Sequence, residues 1–363
     1  MKTPLYDIHA SLGAKIRSFA GWEMPIYYDG ILSEHAHTRR FASIFDTCHM
    51  GEFNFCGTTA EADLERLVTM NVGTIREGQC RYGYMLNDSG GVIDDLMVYR
   101  RGPQSWFVVV NAGTLQSDAT WIRGHISSDT VFTDSSENRA KLDIQGPTTH
   151  AEIITAVGHE LPILRYFRFM DTTIADIPCT LSRTGYTGEF GYEIYLDADR
   201  VVELWKILTK NGRIHPAGLG ARDTLRLEVG YPLYGNELTS DQVPARATQG
   251  QFIDLSEEFI GKQAVEKAME QGISRCLVGL RLDTKRAARQ GDTIIYDGRD
   301  VGVVTSGALA PSLGVAIAFA YVDAGLDAPG QALDIDVRGK RLAATVVPLP
   351  FYSQGTARKK SNL

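Results

Sequence analysis

Two adjacent carboxylates on a predicted strand have the type and position that most directly suggest chemistry. Asp94 and Asp95 lie within residues 82–99, which read as two strands joined by a glycine-containing turn. Successive side chains of a strand point to opposite faces, so only one acid can face a given cleft, and a proton shared between the two is not expected. A carboxylate among apolar neighbours needs a cation or a hydrogen-bond donor. The alternative interpretation is an edge strand with solvated acids, or a carboxylate that caps a nearby helix.

A glycine-rich segment at residues 183–195 carries the second group of candidates. Its glycines at 185, 188 and 191 have a GxxGxxG spacing, which is neither the dinucleotide-binding fingerprint nor a phosphate-binding loop. Tyr186 and Glu193 suit a flat, nitrogen-rich heterocycle, because aromatic rings stack on its face and a carboxylate accepts two hydrogen bonds from its edge. A glycine-rich turn with incidental acids is an equally good interpretation.

Two arginines on a predicted short helix are candidates for binding an anion. Arg222 and Arg226 are four residues apart and share one helix face, from which one guanidinium can hold a substrate carboxylate. A structural salt bridge is the alternative. Gly218 and Gly220 precede them, but Asp223 stands where a third glycine would be needed, so a dinucleotide site is disfavoured.

Nucleophilic cysteine chemistry and metal binding are both disfavoured. Cys48 is followed by His49, but adjacent residues do not face each other in regular structure, and nothing near the thiol in sequence lowers its pKa. His35 and His37 lack the HExxH spacing, and no other cluster has the spacing of metal ligands. We therefore expect no bound metal.

The scaffold that positions these candidates mixes short strands with few helices. Apolar residues at helical spacing predict amphipathic helices over 59–70, 148–157, 198–209 and 261–271. Short β-rich runs bounded by turn residues predict strands at 82–86, 92–99, 106–111, 140–144, 180–183, 192–196, 277–282 and 301–306. The helices are too sparse for regular strand–helix alternation, so the expected class is α+β. After about residue 274 the pattern is nearly all strand and turn, which indicates a separate C-terminal β-domain.

Composition and charge restrict the classes of partner that this chain is expected to bind. The 363 residues, 44% hydrophobic and 22% charged, describe a globular chain long enough for two or three domains. Thirty-seven basic residues against 44 acidic ones leave a formal charge of −7. Because such a chain has no net positive field to hold a polyanion, neither nucleic acid nor a membrane is expected as a partner.

An apolar stretch, the first residues and the cysteines together predict the cellular compartment of the protein. The apolar stretch at 308–322 is interrupted by Pro311, Ser312 and Gly314, so it is shorter than the ~18 apolar residues of a spanning helix. The first residues have neither the apolar core of a secretory signal nor the pattern of a transit peptide. The five cysteines are an odd number without a CxxC pair, which argues against a disulfide framework. We expect a cytoplasmic protein with reduced thiols.

Short motifs spread along the chain carry a family resemblance through their order and spacing. They lie at residues 3–7, 19–25, 45–52, 87–95, 145–147, 185–189, 218–223, 259–262 and 304–307. Each motif is weak alone, but together they are highly specific. The chain resembles the T-protein family, the aminomethyltransferases of the glycine cleavage system.

The resemblance implies a fold and a reaction. The implied fold is an α+β, three-domain cloverleaf around a central tetrahydrofolate site, with a C-terminal all-β, barrel-like domain. The implied domains are a discontinuous one at 1–52 plus 140–270, a ferredoxin-like one at 53–139, and the barrel at 274–363. The implied enzyme transfers the methylene carbon of the S-aminomethyldihydrolipoyl arm of a lipoylated H-protein to tetrahydrofolate, which gives 5,10-methylenetetrahydrofolate and ammonia. Docking of that partner needs a local basic area, for which Arg39, Arg40 and residues 358–360 are candidates.

The resemblance also assigns residues by motif. Asp95 is the expected key acid beside the folate nitrogens, Glu193 and Tyr186 are expected to bind the pterin ring, and Arg222 is expected to line the folate site. Further expected folate-lining residues are Tyr82, Tyr99, Met50, Asn111 and, near the folate tail, Tyr352. At an ordinary pKa of ~3.9, Asp95 is ionised at neutral pH and is a weak base. We therefore expect it to stabilise developing positive charge and orient folate, unless burial raises its pKa.

Departures from the family pattern keep two alternatives open. Cys48 stands where the family commonly has serine, and residues 244–250 replace a typical Pro-x-Glu-Ala-Gly-Leu. The second departure leaves room for a tetrahydrofolate-dependent demethylase of another one-carbon donor, similar to dimethylsulfoniopropionate demethylase. A non-catalytic, folate-binding iron–sulfur assembly factor is the other alternative. Its Lys-Gly-Cys-Tyr-x-Gly-Gln signature is not matched, because residues 258–263 contain no cysteine.

Overall fold

The computed structural model describes residues 1–244, 250–272 and 274–359. In this part of the chain the α-helices are α1 (Tyr6–Ser11), α2 (Ile31–Arg40), α3 (Ala60–Leu67), α4 (Leu115–His125), α5 (Thr149–Val157), α6 (Val201–Thr209), α7 (Leu219–Glu228) and α8 (Lys262–Gln271). The four predicted helices are present as α3, α5, α6 and α8. Helix α3 is shorter than predicted because Val68 is extended and forms a β-bridge with Met85.

Strands dominate the rest of the structure. They are β1 (Lys15–Phe19), β2 (Trp22–Tyr27), β3 (Ala42–Asp46), β4 (Gly51–Cys56), β5 (Cys80–Leu86), β6 (Val92–Gly102), β7 (Ser105–Val110), β8 (Val131–Asp134), β9 (Arg139–Gln145), β10 (Phe169–Ile174), β11 (Ile177–Ser182), β12 (Gly191–Asp197), β13 (Ile214–Pro216), β14 (Arg275–Leu282), β15 (Thr293–Tyr296), β16 (Arg299–Ala310), β17 (Val315–Asp323), β18 (Ala332–Val337) and β19 (Lys340–Val347). Strands β1 and β2 form a ribbon, and the other strands form three larger sheets.

The first large sheet has six strands in the order β10-β11-β12-β9-β3-β13. Its strands pair antiparallel except β13, which runs parallel to β3. Helix α6 contributes Val201, Leu204 and Leu208, spaced three and four apart, to a buried cluster with Ile144 and Ile194 of the sheet. Burying each such side chain contributes roughly 1.5–3 kcal/mol. The opposite face of β9 and β12 is free to carry polar groups.

The second large sheet has five strands in the order β5-β6-β7-β4-β8. Strand β6, which carries both Asp94 and Asp95, lies between β5 and β7. The edge-strand interpretation of these acids is therefore wrong, since neither side of the strand is open to water. Helices α3 and α4 contribute Leu64, Leu67 and Ile122 to the core of this sheet.

The third sheet is a closed barrel in the order β14-β17-β16-β15-β18-β19. On β17, Ala316, Ala318, Ala320 and Val322 alternate into its core, and small side chains of this kind fit a narrow barrel interior. The predicted α+β class and C-terminal β-barrel are confirmed. None of the helices in the described residues has the length and apolarity needed to cross a bilayer.

Buried ion pairs join helix α7 to its surroundings. Arg226 donates to Ser306 Oγ of the barrel at 2.8 Å and to Glu237 Oε2 at 2.9 Å. At the end of α7, Glu228 pairs with Arg39 of α2 at 2.9 Å. Because these charges are almost fully buried, each needs its partner, and the contacts hold the barrel in one position against the first sheet.

Candidate functional site

Two side chains meet the carboxylate of Asp95. Tyr82 Oη, on β5, donates to Asp95 Oδ2 at 2.9 Å. The Asn111 amide, just beyond β7, donates from Nδ2 to Asp95 Oδ1 at 2.8 Å. Both contacts follow from strand order, because β6 lies between the strands that deliver the two donors. The structure thus brings together three of the predicted site residues.

The surroundings of Asp95 change its proton affinity. Burial raises its pKa to about 7, and the neighbouring negative charge of Asp94 adds to that shift, while the hydrogen bonds from Tyr82 and Asn111 oppose it. From the sequence, Asp95 was expected to act as a fixed negative charge unless burial raised its pKa. Burial does raise its pKa. A carboxyl group that titrates near 7 can both accept and donate a proton at neutral pH.

Asp94 points away from Asp95, as strand alternation predicts, but it shares a donor with it. The Asn111 backbone N–H and side-chain Nδ2 both donate to Asp94 at 2.8 Å, and the same Nδ2 serves Asp95. Asp94 is fully buried and lies beside Asp118 of α4, which is equally buried. The sequence analysis missed Asp118 and the helix α4 that carries it, although the helical spacing of Leu115, Ala119 and Ile122 was a usable signal.

Glu193 lies on the first sheet and forms a buried ion pair. Its Oε1 accepts from Lys141 Nζ at 2.6 Å, and its Oε2 accepts from Thr184 Oγ1 at 2.5 Å and Tyr195 Oη at 3.1 Å. Burial alone would raise the pKa of Glu193, but the Lys141 cation and the hydrogen bonds from Lys141 and Thr184 lower it instead. Glu193 is therefore a stable anion in a buried position.

Sequence reasoning missed Lys141. It lies on β9 together with Asp143 and Gln145, at alternate positions between buried apolar residues. A polar face on an otherwise apolar strand was the signal, because alternation places these three side chains together. In the sheet register Glu193 pairs with Asp143, and Tyr195 pairs with Lys141.

Tyr99 and Met50 surround this ion pair. Tyr99 Oη lies 2.9 Å from Tyr195 Oη, and the Lys141 ammonium contacts Met50 Sδ at 3.3 Å. Tyr99 is completely buried, whereas Met50 is half-buried. Tyr99 thus supports Tyr195 and Glu193 from behind and has no exposed surface, and its role as a folate-lining residue stays a prediction.

Arg222 and Tyr186 link the two groups. The Arg222 guanidinium forms an ion pair with the buried Asp143 and stacks on the Tyr186 ring at 4.8 Å. The Tyr186 hydroxyl donates to the Pro232 carbonyl. Asp95 lies close enough to Tyr186 to raise the pKa of its hydroxyl, after burial, which is the main cause. The salt-bridge interpretation of Arg222 is therefore correct.

The glycine-rich segment around Tyr186 is closely packed. Gly188 has φ 77°, and a Cβ at this position would lie 2.3 Å from Val229 Cγ1. A larger residue would be strained and would push Tyr186 away from Arg222. Gly188 therefore allows the segment to approach Val229 closely.

Tyr352 lies apart from the other predicted site residues. Its ring stacks on the Arg39 guanidinium at 4.3 Å, next to the pairs that Arg39 forms with Glu189 and Glu228. No contact among the described residues joins Tyr352 to Asp95. The side chain of Arg39 is only 7% exposed, so its predicted role in docking a partner is wrong.

Cys48 and His49 do not form a nucleophile and base. Burial, followed by the charge of Asp46, raises the pKa of the Cys48 thiol well above its ordinary value. Burial lowers the pKa of His49 to about 4. Both groups are thus neutral near pH 7, and an uncharged thiol is a poor nucleophile.

Other features lie outside this region. Among residues 1–244, 250–272 and 274–359, no group of three or more His, Cys, Asp or Glu side chains is placed to hold a metal ion. A cavity of about 580 Å³ lies between α8 and the barrel, lined in part by Val243, Ala268, Cys276 and Leu349, and contains none of the predicted site residues. The departure noted at 244–250 falls almost entirely outside the described residues.

Comparison with known families accounts for both halves of the chain. Residues 5–257 match the family described as the GCVT N-terminal domain, and residues 275–353 match the glycine cleavage T-protein C-terminal barrel domain. The chain belongs to the glycine cleavage T-protein family. The family resemblance stated from the sequence is thereby confirmed.

Relatives within the T-protein family match the chain over nearly its whole length. The aminomethyltransferase of Shouchella clausii is 43% identical, over 98% of each chain. That of Synechococcus elongatus is 40% identical, over 97% of this chain and 96% of the relative. The crystal structure of glycine cleavage system aminomethyltransferase T from Bartonella henselae superimposes with a TM-score of 0.93 at 33% identity, covering 98% and 99% of the two chains. This T-protein is an enzyme with aminomethyltransferase activity.

Proposed function

We propose that this T-protein transfers the methylene carbon of an S-aminomethyldihydrolipoyl arm, carried by a lipoylated H-protein, to tetrahydrofolate. The products are 5,10-methylenetetrahydrofolate, ammonia and the dihydrolipoyl thiol. The half-buried carboxyl of Asp95 supports this function most strongly, because its pKa of about 7 suits a reaction that removes and adds protons at nitrogen.

In this mechanism Asp95 acts as the catalytic acid and base. Forming two bonds from carbon to folate nitrogens releases two protons, while the departing amine and the thiolate each take one up. Asp95 in its ionised form accepts a proton from a folate nitrogen, and in its neutral form it donates one to the leaving amine. The ionised form also stabilises the positive charge on the carbon and nitrogen as the thiolate leaves, since the surroundings are largely dry. Tyr82 and Asn111 hold the carboxyl in one orientation during these steps.

The donor set fits a reduced pterin. Glu193 is an anion with one acceptor position left on Oε1, because a carboxylate accepts about four hydrogen bonds and three are in use. That position suits an N–H on the pterin edge. A second hydrogen bond to Glu193 requires the hydroxyl of Thr184 or Tyr195 to turn away. Tyr186 and the outer face of Arg222 offer flat surfaces for stacking.

The remaining predicted site residues are assigned to positions along the proposed folate site. Met50 and Tyr82, both half-buried, line the site between the two groups, with Tyr99 behind them. Tyr352 would contact the far end of the folate, next to Arg39, rather than the pterin. We assign the three domains the bounds 1–52 plus 140–270, 53–139 and 274–363, since each of the three large sheets falls within one of them apart from the first residues of β4 and β9.

The direct test supplies tetrahydrofolate with aminomethylated H-protein and measures ammonia and methylenetetrahydrofolate. Asp95→Asn is expected to abolish turnover while tetrahydrofolate affinity stays within a few-fold, because the amide keeps the shape but cannot exchange a proton. Asp88→Asn is the matched control, since it makes the same charge change at an exposed position in the turn between β5 and β6. It is expected to leave turnover unchanged.

Three results would contradict the proposal. Undiminished turnover in Asp95→Asn would show that this carboxyl does not take part. Methyl-folate from a methylated sulfonium donor, with no product from aminomethylated H-protein, would instead identify a demethylase. Tetrahydrofolate binding without any product from either donor would identify a non-catalytic folate-binding protein.

A further inference from the structure

A buried acid behind the proposed catalytic carboxyl has no role in the mechanism described so far. Asp118 lies in the first turns of α4 and is completely buried. Neither of its carboxyl oxygens receives a hydrogen bond from a donor in the described part of the chain. A buried carboxylate left without donors is strongly destabilised, so an acid in this position must either bind a proton or have a reason to stay charged.

The side chain that Asp118 does meet is another carboxyl group. Asp118 and Asp94 lie within hydrogen-bonding reach of each other. The Thr114 hydroxyl is also close, but it donates to the Asn111 carbonyl at 3.1 Å. Two ionised carboxylates have no proton to place between them, so this contact is a hydrogen bond only when one of the acids is protonated.

The distribution of donors decides which acid keeps the charge. Asp94 accepts two hydrogen bonds at 2.8 Å from Asn111, one on each oxygen. Asp118 accepts none from any described donor. The negative charge is therefore most stable on Asp94, and the proton is most stable on Asp118. The N-terminal end of α4 lies at the pair and favours a single negative charge there.

We propose that Asp118 is a positioning residue of the T-protein: as a neutral acid it donates a hydrogen bond to Asp94, which keeps Asp94 ionised beside Asp95. This inference rests on the proposed role of Asp95 in proton transfer. Asn111 completes the arrangement, because its amide binds both ionised acids and fixes the distance between them.

The Asp94–Asp118 pair changes the pKa of Asp95 through its negative charge. A negative charge on Asp94 disfavours a second one on Asp95, so it raises the pKa of Asp95 in addition to the effect of burial. Burial, followed by the charge of Asp94, raises the pKa of Asp118 itself to about 10, so Asp118 keeps its proton throughout the neutral range. The other titratable groups that face the three acids belong to β5, the glycine-rich segment and the loop after α7; they are Tyr82, Tyr84, Tyr186 and Tyr234. These tyrosines have raised pKa values and stay neutral near pH 7, so Asp94 is the group that supplies charge.

The test compares two substitutions at Asp118 by the pH dependence of kcat/KM. Asp118→Asn keeps a hydrogen-bond donor for Asp94, so the apparent pKa of the wild type is expected to stay in place. Asp118→Leu removes the donor, so Asp94 takes up a proton at neutral pH and loses its charge. The apparent pKa of Asp95 is then expected to fall by about 1 unit, the size of one nearby like charge. Asp94→Asn is expected to give the same fall, with no further fall in the double variant Asp94→Asn/Asp118→Leu.

A measurement without substrate covers the case in which Asp118→Leu does not fold. Infrared difference spectroscopy detects the carbonyl stretch of a protonated carboxyl group. At about pH 8.5, where Asp95 is mostly ionised, the wild type is expected to show one more such band than Asp118→Asn. Equal band intensities in the two proteins would show that Asp118 holds no proton, and would overturn the inference.

The kinetic outcomes separate this inference from the proposed function. An unchanged pKa in a folded Asp118→Leu would refute the role of Asp118 while leaving Asp95 as the catalytic carboxyl. A shifted pKa in Asp118→Asn equal to that in Asp118→Leu would also refute it, because the conservative variant should rescue. If Asp95→Asn retains full turnover, the proposed role of Asp95 in proton transfer fails first, and the infrared comparison alone then tests the carboxyl pair.

Discussion

Replacing Lys141 by methionine tests the electrostatics of the proposed pterin site. The side chain keeps its length and apolar stem but loses the ammonium that lies 2.6 Å from Glu193 Oε1. Lys141 is 3% exposed and Glu193 is 5% exposed, so water cannot replace the lost cation. The variant leaves a buried carboxylate whose remaining donors are the two hydroxyls of Thr184 and Tyr195.

The expected loss of stability follows from the burial of the pair. Removing one partner of a buried ion pair typically costs about 3–5 kcal/mol, because the other charge stays buried and uncompensated. Glu193 can escape this cost by binding a proton, since burial alone raises its pKa. A neutral Glu193 accepts hydrogen bonds from the pterin edge less strongly, so tetrahydrofolate affinity is expected to fall about 10-fold or more, equivalent to 1.4 kcal/mol.

The stability that Lys141→Met loses is expected to depend on pH. In the wild type the pKa of Glu193 lies below its ordinary value, so the pair contributes stability above that ordinary value, and this contribution is lost as the pH falls through the lowered pKa. In Lys141→Met the pKa of Glu193 is raised, so the variant is penalised most at neutral pH. The difference between the two proteins is therefore expected to shrink as the pH falls from 7 towards about 4.

The assay is chemical denaturation of both proteins at several pH values, combined with tetrahydrofolate titration. Lys262→Met is the matched control, because Lys262 also lies 2.6 Å from a glutamate, but that partner, Glu258, is 89% exposed. Water screens this surface pair, so the control is expected to unfold at nearly the wild-type denaturant concentration and to bind folate normally. If Lys141→Met is no less stable than Lys262→Met at pH 7, the buried pair does not stabilise the protein, and the explanation for the lowered pKa of Glu193 is wrong.

Two further substitutions test the proposed acid and the cysteine. Tyr82→Phe removes the 2.9 Å hydrogen bond to Asp95, which favours the ionised form, so the apparent pKa in the kcat/KM profile is expected to rise above about 7. Tyr84→Phe, whose hydroxyl makes no hydrogen bond to Asp95, should leave that pKa in place. A fall in the pKa of Tyr82→Phe would refute the assignment of the titration to Asp95. Cys48→Ser is expected to keep wild-type initial rates, because the buried thiol is protonated and serine can make the same bond to the Lys141 carbonyl; a collapse of turnover would mean that the thiol reacts.

The strand pattern accounts for much of what could be predicted about the acids. Alternation along β6 correctly separated Asp94 from Asp95, because side-chain direction in a strand depends only on position along the chain. The same pattern was silent on whether β6 lay at an edge or in the centre of its sheet. That question depends on pairing with β5 and β7, and strand order is a long-range property.

Protonation could not be predicted in the same way. The ordinary pKa of aspartate made Asp95 an anion, and only burial together with a second acid moved its pKa to about 7. Asp118 comes from α4, which follows the next strand, β7, and its contact with Asp94 exists only because α4 packs on that sheet. Desolvation depends on everything that surrounds a group in space, so it is not a property of local sequence.

The sequence by itself determined the α+β class, the C-terminal barrel, the helices α3, α5, α6 and α8, and the family, because periodicity and ordered motifs are local and survive without coordinates. Only the tertiary structure decided that Arg222 is committed to Asp143, that Lys141 faces Glu193, and that Tyr352 lies with Arg39. Each of these contacts joins residues from different strands or helices. Packing decides which charges become neighbours, and distance and burial then decide what those charges can do.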